Sequence, residues 1–223
     1  MSISKILDCA YITPKSGKVK NMVIFLHGYG SNGDDLLSIG DEWESGLPDT
    51  VFLSPNAPDD CDESPMGYQW FSIRAIDRDM FERERQIHAA VPKLDDFIDE
   101  QLARWEVDIS NLVVVGFSQG AMMAMYTMPR REKACAGVIG YSGMLIDAKG
   151  LQDPSVVKPR VLAIHGDSDD VVDPASLAEV ASGFSAAGFD IEAIMRPRLA
   201  HGIDKFGLVR GMEFCKEVLA DNE

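Results

Sequence analysis

The stretch NLVVVGFSQGAMMAMY, Asn111 to Tyr126, decides the fold. Three valines in succession read as a strand covered on both faces, because short apolar runs of branched side chains suit the middle of a sheet packed on either side. The Ala and Met series after it reads as a helix. Between them Gly116 and Gly120 flank Ser118, and only residues without a Cβ let a strand and the following helix approach so closely. The serine is left at the apex of the turn. A buried strand before G-x-S-x-G and a helix after it is the arrangement of a nucleophile elbow, in which strain lifts the serine oxygen above a sheet. With Gly and Ser at roughly 7% each, the motif alone arises by chance in about one of a dozen such chains, so its flanks carry the weight.

Outward from this unit, strand-like runs alternate with helix-period segments: VIFLHG, DDLLSIGDEW, TVFLSPN, AGVIGYS, RVLAIHG, SLAEVASGF, IEAIMRP and GLVRGMEFCKEVL. That alternation predicts an α/β chain with a mostly parallel sheet and helices on both faces. From Asp77 to Trp105, Phe81, Ile87, Val91, Leu94, Phe97, Ile98 and Leu102 recur at helical spacing, and Pro92 is expected to kink or split the helix. Its charges, Arg78 through Arg85, read as a solvated face. The polar stretch DDCDESPMGY, Asp59 to Tyr68, reads as a functional lid, being long for a structureless connection. Asp147 to Lys158 reads as an ordinary surface loop. No repeat or low-complexity linker interrupts the chain, which is expected to form one domain over 1–223.

Cys9, Cys61, Cys135 and Cys215 are scattered, show no metal-ligand pairing and sit mostly in apolar segments, as free thiols do in a reducing compartment. The N-terminal MSISKILDCAYI has one Lys, and Asp8 breaks its apolar run, so neither a signal peptide nor a spanning helix is expected. Ser2 stands where N-myristoylation needs Gly. The expected location is the cytoplasm. A formal net charge of −15 disfavours nucleic acid and anionic membrane surfaces as partners.

A serine hydroxyl is a weak nucleophile until a base takes its proton, and the base must be oriented by a carboxylate. Four histidines are available. His27 ends the first apolar strand, His88 lies mid-helix, and His165 ends VLAIHG. His201, in RPRLAHGID, alone follows both the serine and a suitable acid, the order of an α/β-hydrolase sheet. HGDSDDVVDP offers Asp167, Asp169, Asp170 and Asp173. Asp173, before Pro174 and a helical pattern, reads as a helix N-cap. A metal site built from the four lacks accompanying His or Cys ligands. Residue physics leaves Asp167, Asp169 and Asp170 open.

FLHGYG, GYQWF, GFSQG, HGDSDDVV and AHGI stand in the order and approximate spacing of the carboxylesterase, lysophospholipase and acyl-protein thioesterase family of α/β hydrolases, which the chain resembles from Val23 into the last helix. The resemblance implies the α/β-hydrolase fold with a short lid loop and a catalytic triad of Ser118, His201 and, from the H-G-x-x-D pattern, Asp169. It implies Tyr29 as one oxyanion donor, through its backbone N–H. The elbow itself provides the other, the N–H of Gln119. It also implies Trp70 and Phe71 as residues lining the acyl groove. Met122, Met123, Met125 and Met128 read as core filler rather than a substrate box. Ala121 stands where many relatives have Gly, and the acidic 59–64 loop matches less well, so lipid or lipidated-protein substrates do not carry over with the motifs.

The expected activity is therefore carboxylic ester hydrolysis through an acyl-enzyme. The substrate is a small ester or thioester, with no metal or organic cofactor and no stable membrane insertion. Acyl-protein thioesterase and lysophospholipase are the alternatives on the same triad. Some relatives pair, which admits a homodimer. A remote alternative is dinucleotide binding at GYGSNG, Gly28 to Gly33, but TVFLSPN ends without the acid that would bind ribose hydroxyls. A non-catalytic scaffold has no use for the whole set.

Overall fold

A computed structural model describes residues 7–73 and 80–220. Residues 77–79 of the expected helical stretch and the Phe81 side chain lie outside the described residues.

The strands are β1 (Cys9–Ile12), β2 (Asn21–Leu26), β3 (Thr50–Pro55), β4 (Asp59–Asp60), β5 (Tyr68–Gln69), β6 (Leu112–Phe117), β7 (Gly137–Tyr141), β8 (Arg160–Gly166) and β9 (Ile191–Arg196). The α-helices are α1 (Gly33–Trp43), α2 (Met80–Trp105), α3 (Gln119–Thr127), α4 (Ser176–Ala186) and α5 (Lys205–Ala220). Seven strands form one sheet in the order β1-β3-β2-β6-β7-β8-β9. Only β1 runs antiparallel to its neighbour.

The period of two along each strand sorts side chains between two cores. Met22, Ile24, Leu26, Leu112 and Val114 pack under Ile87, Leu94 and Ile98 of α2 and Val180 and Phe184 of α4. Val23, Phe25, Val113, Val115 and Ile139 face Trp43 of α1 and Phe214 of α5 on the other side. Burial on both faces is why the central strands read as unbroken apolar runs.

Three local expectations change. α2 is one helix through Pro92. Pro92 and His88 are both exposed, so the carbonyl that loses its intrahelical N–H faces water, while Ile87, Leu94 and Phe97 hold the buried face on either side. The stretch read as a functional lid carries a two-stranded ribbon, with Asp59 opposite Gln69 and Asp60 opposite Tyr68. Strand β1 has no clear pattern in the sequence because it is four residues long and only partly buried; its partner β3 supplies the register, Tyr11 against Leu53. Among the described residues no helix is long and apolar enough to cross a membrane.

From β2 the chain adds β3 on one side and later β6 on the other. This is a topological switch point, where open α/β sheets form a crevice beyond the carboxyl ends of their strands. The segments that follow β2, β6, β8 and β9 carry the candidate catalytic and oxyanion residues.

Candidate active site

Ser118 follows the last residue of β6 with φ 53° and ψ −114°, a left-handed conformation costing a non-glycine residue about 1–3 kcal/mol. Its own backbone offsets part of that: the Ser118 N–H donates to Tyr141 O (2.8 Å), and Ser118 O accepts from Met122 N–H (3.1 Å). The flanking glycines are steric necessities. A Cβ on Gly116 would stand 2.3 Å from Gly120 O, and one on Gly120 would stand 1.9 Å from Leu26 O. The elbow is thus pressed against the end of β2, which brings Ser118 beside the loop that begins at His27.

That loop is fixed by a buried imidazole. Ala57 N–H donates to His27 Nε2 (2.9 Å), so this nitrogen is bare and Nδ1 carries the proton, which it donates to Gly28 O (2.7 Å). Burial lowers the His27 pKa from the usual imidazole value, against the upward pull of Gly28 and Asp35. In a trans peptide C=O and N–H point opposite ways, so holding Gly28 O also sets the direction of the Tyr29 N–H. Gly30 N–H to Tyr68 O (2.9 Å) and Tyr68 N–H to Ser31 O (2.7 Å) zip the loop to the ribbon. Among the described residues neither Tyr29 N–H nor Gln119 N–H donates to another protein group. Gln119 opens α3, where backbone N–H groups lack helical partners and the helix dipole is positive.

Trp70 and Phe71 are buried and not among the described lining of the cavity, where Ile73 stands in that region. They hold the site together from behind. Trp70 N–H donates to Gln119 Oε1 (2.9 Å), Gln119 Nε2 donates to Phe71 O (2.7 Å), and the Trp70 indole N–H donates to His27 O (3.0 Å).

The acidic turn after β8 divides its work. Asp167 Oδ1 accepts from Arg198 N–H (2.6 Å), and Asp167 N–H donates to Arg196 O (2.9 Å), which clasps this turn to the loop bearing His201. Asp170 is exposed. Asp173 accepts from Ala175 N–H (2.9 Å) and caps a turn; α4 itself starts only at Ser176. Asp169 is left, and its Oδ2 accepts from His201 Nδ1–H (2.8 Å). Its Oδ1 accepts from the N–H groups of Val171 and Val172, both at 2.9 Å. Burial works to raise the Asp169 pKa, but the bonds from Val172, His201 and Val171 outweigh it and hold the carboxyl below its ordinary value. The His201 ring packs on Phe117, centroids 4.9 Å apart. With Nδ1–H committed to Asp169, Nε2 is the nitrogen available to take a proton.

Ser118, His201, Tyr29 and Gln119 line one cavity of about 440 Å³. Among the described residues no hydrogen bond joins Ser118 Oγ to His201, an arrangement common in catalytic sites without substrate. Met122, Met144, Ile146, Val171 and Val172 give the cavity an apolar lining, and Ser31 and Asp35 add polar groups to it. Of the four methionines in the elbow segment, Met123, Met125 and Met128 are core and Met122 faces the cavity. Met144 and Ile146 sit just past β7, in a segment with no sequence mark of a site. Across the crevice, the α1 N-terminus considered for a dinucleotide is filled by the protein: Asn56 Oδ1 accepts from Gly33 N–H (2.8 Å) and Asn32 Oδ1 from Asp34 N–H (3.0 Å).

Known proteins resemble the chain over most of its length. Esterase PE8 has a crystal structure that superposes with TM-score 0.91 at 36% identity, covering 96% of this chain and all (100%) of that one. Esterase YpfH of Escherichia coli (strain K12) is 25% identical over 200 residues, 90% of this chain and 82% of its own. Acyl-protein thioesterase 1 homolog 1 of Dictyostelium discoideum is 28% identical over 176 residues, 76% of this chain and 78% of its own. The phospholipase/carboxylesterase family model matches residues 7–219, and the chain belongs to that family of α/β-fold hydrolases.

Proposed function

We propose that the protein hydrolyses carboxylic esters with short to medium acyl chains by a serine acyl-enzyme route. Ser118 Oγ attacks the ester carbonyl carbon while His201 Nε2 takes the hydroxyl proton. The carbonyl oxygen gains negative charge and is received by the N–H groups of Tyr29 and Gln119; losing one such donor costs roughly 3–4 kcal/mol in comparable enzymes. The tetrahedral adduct collapses, the bond to the leaving oxygen breaks, and His201 returns its proton to the departing alkoxide. Water then attacks the acyl-Ser118 ester by the same steps, giving the carboxylic acid and free serine. Asp169 keeps the His201 proton on Nδ1 and stabilises the imidazolium as it forms.

The observation that carries this reading is the convergence of Ser118, His201 and the unengaged Tyr29 and Gln119 N–H groups on one cavity, with His201 bound to a buried carboxylate. At roughly 30 Å³ per heavy atom, taken from the volume of a water molecule, the open cavity of about 440 Å³ has room for about fifteen atoms of substrate. That favours butyrate or hexanoate esters over palmitate. The same groups would open a thioester, as the likeness to an acyl-protein thioesterase suggests. We also place the protein in a reducing, cytoplasmic compartment, where its four unpaired cysteines remain thiols.

The test is a chain-length series of nitrophenyl esters, run beside a palmitoyl thioester and a lysophospholipid, with Ser118→Ala as control. Ser118→Ala is expected to lower kcat by about 10⁴-fold or more. A variant keeping a tenth of the parent activity would end the proposal, and a rate that climbs steadily to palmitate would end its chain-length part.

A further inference from the structure

His165, the single histidine of β8 and unused in the scheme above, is 1% exposed and lies against the same carboxylate as His201. Its Nε2 lies 3.2 Å from Asp169 Oδ2 and 3.0 Å from Val172 O. Both are acceptors, so this nitrogen carries a hydrogen; the hydrogen bond runs to Val172 O, with Asp169 Oδ2 close beside it. The Asp169 carboxylate, whose side chain is 0% exposed, accepts two backbone N–H groups on Oδ1 and His201 on Oδ2, and one of those N–H groups belongs to Val172, whose carbonyl His165 holds.

We propose that His165 is a positioning residue for the proposed triad: its Nε2–H ties down the carbonyl of Val172, whose own N–H holds Asp169 Oδ1, and so fixes the plane of the Asp169 carboxylate and through it the orientation of His201. The inference rests on Asp169 and His201 acting as acid and base. A carboxylate is free to turn about its Cβ–Cγ bond unless both oxygens are held. Oδ2 rests on His201, which gains and loses a proton in every cycle, so a support that does not move during turnover reaches Asp169 through Oδ1, and its Val172 donor is the one His165 anchors.

The experiment compares His165→Gln, His165→Asn and His165→Leu in the full chain, measuring kcat and KM on nitrophenyl butyrate together with the thermal midpoint. Gln carries its amide nitrogen as many bonds from Cα as Nε2, whereas Asn stops one bond short. His165→Gln is expected to keep kcat within about threefold of the parent. His165→Asn and His165→Leu are expected to lose about 10- to 100-fold in kcat with little change in KM, the range seen when a partner behind a catalytic ligand is removed. Equal kcat in the Gln and Asn variants, whether both high or both low, would overturn the proposal. So would a loss that appears in KM alone. If the Leu variant does not fold, the Gln and Asn pair decides. Residual activity in Ser118→Ala would instead sink the triad itself, so the two failures are distinguishable.

Discussion

The two flanks of Ser118 are built from different chemistry. On the β8–β9 flank, carboxylates do the joining: Asp167 grips the backbone of the His201 loop, and Asp169 gathers N–H donors from Val171, Val172 and His201. On the β2–β5 flank the joints are neutral: the His27 imidazole, the Trp70 indole and the Gln119 amide link the oxyanion loop, the ribbon and the elbow. Bonds to an ionised acceptor are stronger and survive small displacements. A neutral network costs less to bury, but every member must keep one protonation state and one orientation. The acid flank is therefore built for strength, and the oxyanion flank for the direction of two N–H groups.

The sharpest way to test the acid flank is Asp169→Asn, which preserves shape and removes charge. The amide offers a donor where His201 needs an acceptor, so the wrong tautomer is favoured and kcat should fall by about 10⁴-fold. Steady-state kinetics on a nitrophenyl ester would measure it, and a fall below tenfold would show that charge on this flank is dispensable.

Next in size is Gln119→Leu on the neutral flank. It leaves the Trp70 N–H and the Phe71 carbonyl buried without partners, at about 1–3 kcal/mol each. For a chain of this size the thermal midpoint should drop by roughly 5–15 °C, with a smaller loss of kcat than Asp169→Asn causes. An unchanged midpoint would mean the ribbon does not depend on the elbow.

The smallest effect is in pH. His27 is held neutral, with a pKa below the free-imidazole value of 6.5. Below that value the unfolded chain takes up a proton that the native state resists, so this flank loses stability as pH falls from about 6.5. Asp169 has the opposite sign: its pKa lies below the ordinary 3.8, so its contribution is complete above 3.8 and disappears only as pH drops through the lower folded value. Between about pH 7.5 and 5.5 the midpoint should therefore decline through the imidazole side. His27→Asn, less stable throughout, should show a shallower decline, and parallel curves would remove His27 as the cause.

What could be read from sequence follows the same division between local and distant causes. The elbow was legible because strand, turn and helix lie within one short stretch, and its two glycines have no alternative to a close approach. The α/β alternation was legible because central strands are covered on both faces. The choice among Asp167, Asp169 and Asp170 was not, since it depends on where the β9 loop lies, and only the family resemblance separated them. Trp70 and Phe71 look like groove residues in one dimension because aromatic side chains suit a wall and a core equally. The Trp70 indole is tied to His27 O and the backbone of both residues to the Gln119 amide, which places them behind the site. Met144, Ile146 and Val171 carry no mark of a site, because their place on the acyl wall is set by the packing of loops far apart in the chain.

The Asp167 clasp has a consequence for evolution of the site. Because it grips only backbone atoms of the neighbouring loop, Leu199 and Ala200 are free to vary in size or polarity without uncoupling general base from acid. New substrates can be courted through Met144 and Ile146, which line the cavity, leaving the proton-handling pair untouched.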